Sequence, residues 1–172
     1  MSIKKILLLG NKILREKSKK VSLRQIDKEL ITDLKDTLLD FRKREGMGRG
    51  VAAPQIGMLK RMIYIITDEF SGIIINPLII NKSKKKIKVW DSCFSLKAAI
   101  FCKVLRDREI EVEFFDENGK KQKIVAKDAL SELLQHEIDH LGGIMCTDLI
   151  KSAKDIIMRE EWEKMGRPFL AD

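Results

Sequence analysis

Cysteine is scarce in this 172-residue chain, with only Cys93, Cys102 and Cys146. The number is odd and no Cys-x-x-Cys pair occurs, which excludes a disulfide framework and points to a reducing compartment. Proline is confined to Pro54, Pro77 and Pro168. No repeat or low-complexity linker divides the chain, so one domain over 1–172 is expected. Long apolar runs are missing too. After Met1-Ser2-Ile3-Lys4-Lys5 only Ile6 to Leu9 are apolar, short of the roughly 7–15 residues of a secretory core. Nothing approaches the ~20 residues of a transmembrane helix. The expectation is a cytoplasmic protein with no membrane partner. Histidine is rarer still: His136 and His140 are the only two.

What is present suits a folded, water-facing domain. Apolar residues make up 44% and charged residues 35%, with a formal net charge of +8. The apolar spacing Ile26, Leu30, Leu34, Leu38, Phe41 predicts a helix from about Ser22 to Arg44, ended by Gly46, Gly48 and Gly50. Strands are expected at Arg61 to Ile66, Gly72 to Ile75, Leu78 to Ile80 and Ile87 to Trp90, with Asn76-Pro77 as an interruption. Ile110, Val112 and Phe114 alternate with Glu109, Glu111 and Glu113, and Asp116-Glu117-Asn118-Gly119 signals a hairpin returning through Lys121 to Ala126. A second helix is expected from Asp128, as N-cap, to Leu141, and a third over Ser152 to Lys164. The fold class implied is α+β, with antiparallel strands packed around the helix that carries both histidines.

That helix holds the most informative stretch, His136-Glu137-Ile138-Asp139-His140. Residues four apart on a helix differ by about 40° around its axis, so both imidazoles face one way and can share a metal ion. Glu137 lies about 100° from His136, beside such an ion, where a base for water would sit. Asp139 has three readings: orienting a ligand, pairing with Arg106 or Arg108, or a plain surface acid. A catalytic metal site usually has three protein ligands and an open position. Spacing leaves two sources for the third: Cys93, or Glu160 or Glu161 downstream, the latter making a metallopeptidase-like or amidase site. Cys102 and Cys146 read as small buried hydrophobes. Gly48-Arg49-Gly50-Val51-Ala52-Ala53-Pro54-Gln55 lacks the Lys-Ser/Thr ending of a phosphate loop. Its glycines permit close backbone approach, and Gln55 offers an amide donor.

Taken in order, Gly48 to Gln55, Asp91-Ser92-Cys93-Phe94-Ser95 and His136 to His140 resemble the three motifs of the peptide deformylase family. The resemblance also includes Ile13-Leu14-Arg15, Ile75-Asn76-Pro77 and Gln135, and it spans about residues 3–150. It implies Cys93, His136 and His140 as metal ligands, Glu137 as general acid/base, and Gln55 with the Phe94 N–H as oxyanion donors. It implies Gly50, Val51 and Phe94 as substrate contacts, and one divalent ion, Fe(II), replaceable by zinc, nickel or cobalt. The substrate implied is a formylated nascent peptide. The Lys82 to Lys86 and Lys120 to Lys123 clusters fit a solvated face or a ribosomal surface, with no sequence-specific nucleic-acid recognition. The middle motif departs from the family form Glu-Gly-Cys-Leu-Ser. Asp91 is one methylene shorter than Glu, so any ion pair it makes must be rebuilt. Ser92 adds a Cβ, Phe94 adds bulk, and Leu96-Lys97-Ala98-Ala99 lacks a common proline. A deformylase-like protein that binds metal or peptide without catalysis is the reading of another class, and intact Glu137 and Gln55 weigh against it.

Overall fold

The computed structural model describes residues 3–171; Met1, Ser2 and Asp172, at the ends of the expected domain, lie outside them. Helix α1 (Lys28–Glu45) buries Leu30, Leu34, Leu38 and Phe41, the face anticipated from spacing. It starts later than Ser22 because Asp27 caps it: the Asp27 carboxylate accepts the Leu30 N–H at 3.0 Å. Gly46, in the left-handed region at φ 69°, ends it.

Strands β1 (Gly50–Ala52), β2 (Met62–Ile66), β3 (Ser71–Lys82), β6 (Glu109–Phe115) and β7 (Lys121–Lys127) form an antiparallel sheet in the order β1-β2-β3-β6-β7. Strands β4 (Lys86–Ser92), β5 (Ile100–Asp107) and β8 (Ile156–Met158) form a second antiparallel sheet in the order β4-β5-β8. Helix α2 (Asp128–Leu141) touches β1 and β7 of one sheet and β4 and β5 of the other. The α+β expectation therefore holds.

Four local expectations are corrected. Asn76-Pro77 does not interrupt β3; the strand runs through it on a register shift between Ile75 and Leu78. Pro77 falls where the ladder already skips a bond, and Asn76, at φ 51°, bonds Val21 with both ends of its side-chain amide at 2.9 Å. Strand β5 was not anticipated, because Arg106 and Asp107 are buried charges that break the alternation. Asp128 is not the N-cap of α2: Lys127 occupies that position, and the Asp128 carboxylate instead accepts from Arg108 Nε at 2.8 Å. The single helix over Ser152 to Lys164 is in fact a turn at Ala153–Asp155, then β8, then the short helix α3 (Arg159–Lys164). Apolar Ile156 and Ile157 pair with β5, and that pairing overrides helical propensity.

Candidate active site

Helix α2 carries an unusual load of buried polar side chains: Glu132, Gln135, His136, Glu137 and His140. Gln135 secures the helix to the end of β5. Its Oε1 accepts the Asp107 N–H at 3.0 Å, and its Nε2 donates to the Asp107 carbonyl at 2.9 Å. Ser131 Oγ donates to the same carbonyl at 2.8 Å. With α2 so held, both histidines face the end of β4. His136 Nε2 and His140 Nε2 lie 3.1 Å apart, and Cys93 Sγ lies 3.2 Å from His140 Nε2. All three donors fall within 4.8 Å of one another. A tetrahedral ion with bonds of about 2.0–2.3 Å separates its ligand atoms by roughly 3.3–3.5 Å, close to these spacings. Two imidazoles and a thiol are a donor set for a borderline-soft divalent metal.

Of the candidates for a third ligand, Cys93 is the one whose donor atom lies beside the two histidines. Glu160 and Glu161 are exposed on α3, and neither joins the converging donors among the described residues. Cys93 is brought in by β4. Asp91 and Cys93 are two residues apart, so a strand turns both side chains to one face.

At Asp91 the expected ion pair is present, but its contact with His136 was not anticipated from sequence. Its Oδ1 lies 2.6 Å from His136 Nδ1, and its Oδ2 accepts from Arg106 Nη2 at 2.7 Å. Arg106 reaches onward to Asp139, which settles the pairing of that acid. The shorter Asp side chain thus still spans a buried ion-pair chain from β4 through β5 to α2. Burial opposes the Asp91 charge, but His136 and Arg106 overcome it and hold its pKa well below the carboxylate range. Burial likewise opposes charge on His136, and Asp91 overrides it, raising that pKa well above the usual value. His140 moves the other way, lowered by burial and then by the neighbouring His136. A carboxylate on the far nitrogen of a ligating imidazole leaves Nε2 to the metal and fixes the ring. Cys146, read as inert filler, has its sulfur within 4.8 Å of donors on Asp91 and His136. Its distance in sequence concealed that.

Glu137 lines the same cavity, of about 220 Å³, together with Gln55 and Cys93. Burial raises its pKa to about 7, with Asp91 and Glu132 adding to the rise and His136 opposing it. Its Oε2 is buried without a hydrogen-bond partner among the described residues. Gly50 is required beneath it: a Cβ there would stand 2.7 Å from Glu137 Oε1. Gly48 makes room in turn for Phe94, whose ring stacks on Phe41 at 3.7 Å; a Cβ on Gly48 would meet Phe94 at 2.5 Å. The bulk of Phe94 is thus accommodated by α1 and a glycine. Gln55 Oε1 accepts the Ala52 N–H at 2.9 Å, which orients its Nε2 toward Cys93 Sγ at 3.3 Å. Ser92 turns its hydroxyl away to the Ile100 carbonyl at 2.9 Å.

The polypeptide deformylase family model matches residues 3–155. The chain belongs to the polypeptide deformylase family. Deformylases of similar sequence include those of Picosynechococcus, 37% identical over 92% of this chain and 83% of that protein, and of Pelagibacter ubique, 36% identical over 96% of each. Among solved structures, a deformylase from Synechococcus elongatus in complex with actinonin superposes with a TM-score of 0.80, at 31% identity over 95% of this chain and 86% of that one. The Legionella pneumophila deformylase gives 0.79 at 32% identity, covering 96% of each chain. Deformylases are metal-dependent hydrolases, and the fold and donor set of this chain are those of such an enzyme.

Proposed function

We propose that Cys93, His136 and His140 hold one divalent ion, and that the chain removes the N-formyl group from formyl-methionine on nascent polypeptides. The observation that carries this reading is the convergence of two Nε2 atoms and one sulfur in the cavity that also presents Glu137 and Gln55. A bound ion supplies Lewis acidity there. Glu137 takes a proton from the attacking water and gives it to the amine nitrogen as the C–N bond breaks, leaving formate and a free amino terminus. A pKa near neutrality suits a group that must do both. Gln55 Nε2 and the Phe94 N–H donate to the formyl oxygen as it gains charge; loss of one such donor costs about 3–4 kcal/mol.

β1 is the end strand of its sheet, so Gly50 and Val51 offer main-chain groups along which the peptide lies. Ferrous iron is the ion that the family resemblance implies, with zinc, nickel or cobalt as substitutes, and a thiolate ligand is compatible with it. The expected setting is the cytoplasm, where formylated chains leave the ribosome. One domain over 1–172 carries the whole site. The test is anaerobic purification, loading with Fe(II), and measurement of formate from formyl-Met peptides beside Glu137→Ala. Formate well above the variant at equal metal content is expected; equality would refute the reading.

A further inference from the structure

The cavity extends beyond the reacting groups. It is also lined by Trp90, Phe101, Trp162, Pro168 and Phe169. Three of these belong to the segment after β8, outside the residues matched by the family model. That segment is fastened at several points. Trp162 stacks on Phe101 at 4.1 Å with its ring 15° from parallel, and its Nε1 donates to the Pro168 carbonyl at 2.8 Å. Arg159 N donates to the Ala99 carbonyl at 2.9 Å, and its guanidinium reaches the Glu45 carbonyl at 3.0 Å. The final residues lie along β4, where Trp90 N donates to the Phe169 carbonyl at 3.0 Å and Ala171 N to the Lys88 carbonyl at 3.1 Å. Backbone groups on one edge of a strand recur every second residue. Lys88 and Trp90 are therefore occupied by the chain's own terminus, and Ser92, beside the thiol ligand, is the next position on that edge. It lines the cavity.

We propose that residues 162–169, with Trp90 and Phe101, form an aromatic subsite that takes a large apolar side chain from one of the two residues following formyl-methionine. This rests on the deformylase reading above. A peptide that meets the β4 edge at Ser92 cannot zip further along it, because Phe169 and Ala171 hold the next places. Its following side chains are directed against the indole and phenyl faces instead. The charges nearby are paired: Glu163 accepts from Arg159 Nε at 3.1 Å and from Arg167 Nη2, a cavity-lining group, at 3.0 Å, and Arg159 Nη1 lies 3.7 Å from Glu45 Oε2, so two carboxylates stand against two guanidiniums. The wall therefore selects apolar surface rather than a carboxylate or an ammonium group.

The test follows formate from the metal-loaded full chain with formyl-Met tripeptides carrying Gly, Asp, Lys, Leu or Phe at the second or third residue. kcat/KM for Leu or Phe should exceed that for Gly by at least about tenfold at one position. In Trp162→Ala and Phe169→Ala that ratio should fall to within about twofold of one, the discrimination of an open site. A ratio taken within one variant cancels losses in folding or metal content. A wild-type enzyme without this preference, or variants that keep it, would overturn the subsite. No formate from any peptide would instead overturn the deformylase reading. In that case the subsite is read by binding, since both tryptophans of the chain line the cavity. Their fluorescence should respond to formyl-Met-Ala-Phe at lower concentration than to formyl-Met-Ala-Gly, and equal response would refute it.

Discussion

Gly50 and Glu137 show how closely the carboxylate proposed to carry the proton is cradled. A Cβ at Gly50 would meet Glu137 Oε1 at 2.7 Å and its Cδ at 3.0 Å. Glu137 is buried, so its side chain must shift rather than swing into solvent. Displacing a reacting group by about 1 Å costs on the order of a hundredfold in rate. Gly50→Ala should therefore lower kcat by about that factor while metal content stays near one ion per chain; unchanged kcat at full loading would contradict this placement. The histidine pair and Glu137 were legible in the sequence because helical spacing is a local property. The partnership of Asp91 with His136 was less so. The motif marks Asp91 as an ion-pairing acid, but the two-residue interval to Cys93 that turns it toward the histidines has meaning only once β4 is known to be a strand.

At the scale of elements, β5 is what joins the site together. Arg106 lies on it and bridges Asp91 of β4 to Asp139 of α2. Removing one member of a buried ion-pair chain leaves uncompensated charge and costs about 3–5 kcal/mol. Arg106 also holds the Asp91 carboxylate that meets His136, and disturbing such outer contacts of a proposed ligand lowers metal affinity by up to roughly 10–100-fold. Arg106→Leu should show both effects, in a denaturant titration and in a chelator competition. Arg106 is also the reason β5 escaped detection, since a charge at an inward position mimics a loop. Helix α1 offers a cleaner case. Asp27 caps it and pairs with Lys60 Nζ at 2.6 Å. The Lys60 hydrogen bond and then the Leu30 N–H lower the Asp27 pKa below 3.8. A depressed carboxylate stabilises the fold above its unfolded pKa, and that contribution is lost as pH falls through the folded value. Asp27→Ala should destabilise by about 1 kcal/mol at pH 7. The difference from the parent should shrink progressively in melts below about pH 4, as the pH falls through the lowered folded pKa. A constant difference would show that charge plays no part.

For the whole molecule, the ion would couple α2 to the end of β4, two pieces far apart in sequence. A ligand that binds only the folded chain stabilises it by about 2.7 kcal/mol at a hundred times its Kd. For a domain of this size that corresponds to a fall in Tm of roughly 5–10 °C on chelation. Cys93→Ala should melt near the chelated parent and respond little to chelator; a large response would place the metal elsewhere. The sequence by itself determined the two imidazoles, Glu137, the main helices and the antiparallel hairpin of β6 and β7. Each rests on spacing within one stretch of chain, which backbone geometry converts directly into a shared face. Tertiary structure decided which candidate ligand stands beside the histidines, because packing brings Cys93 there and leaves Glu160 and Glu161 exposed on α3. It also decided the place of Trp162 and Phe169, whose partners Phe101 and Trp90 lie some sixty to eighty positions earlier. No local pattern encodes such contacts, since they arise from the pairing of β8 with β5 and of the terminus with β4.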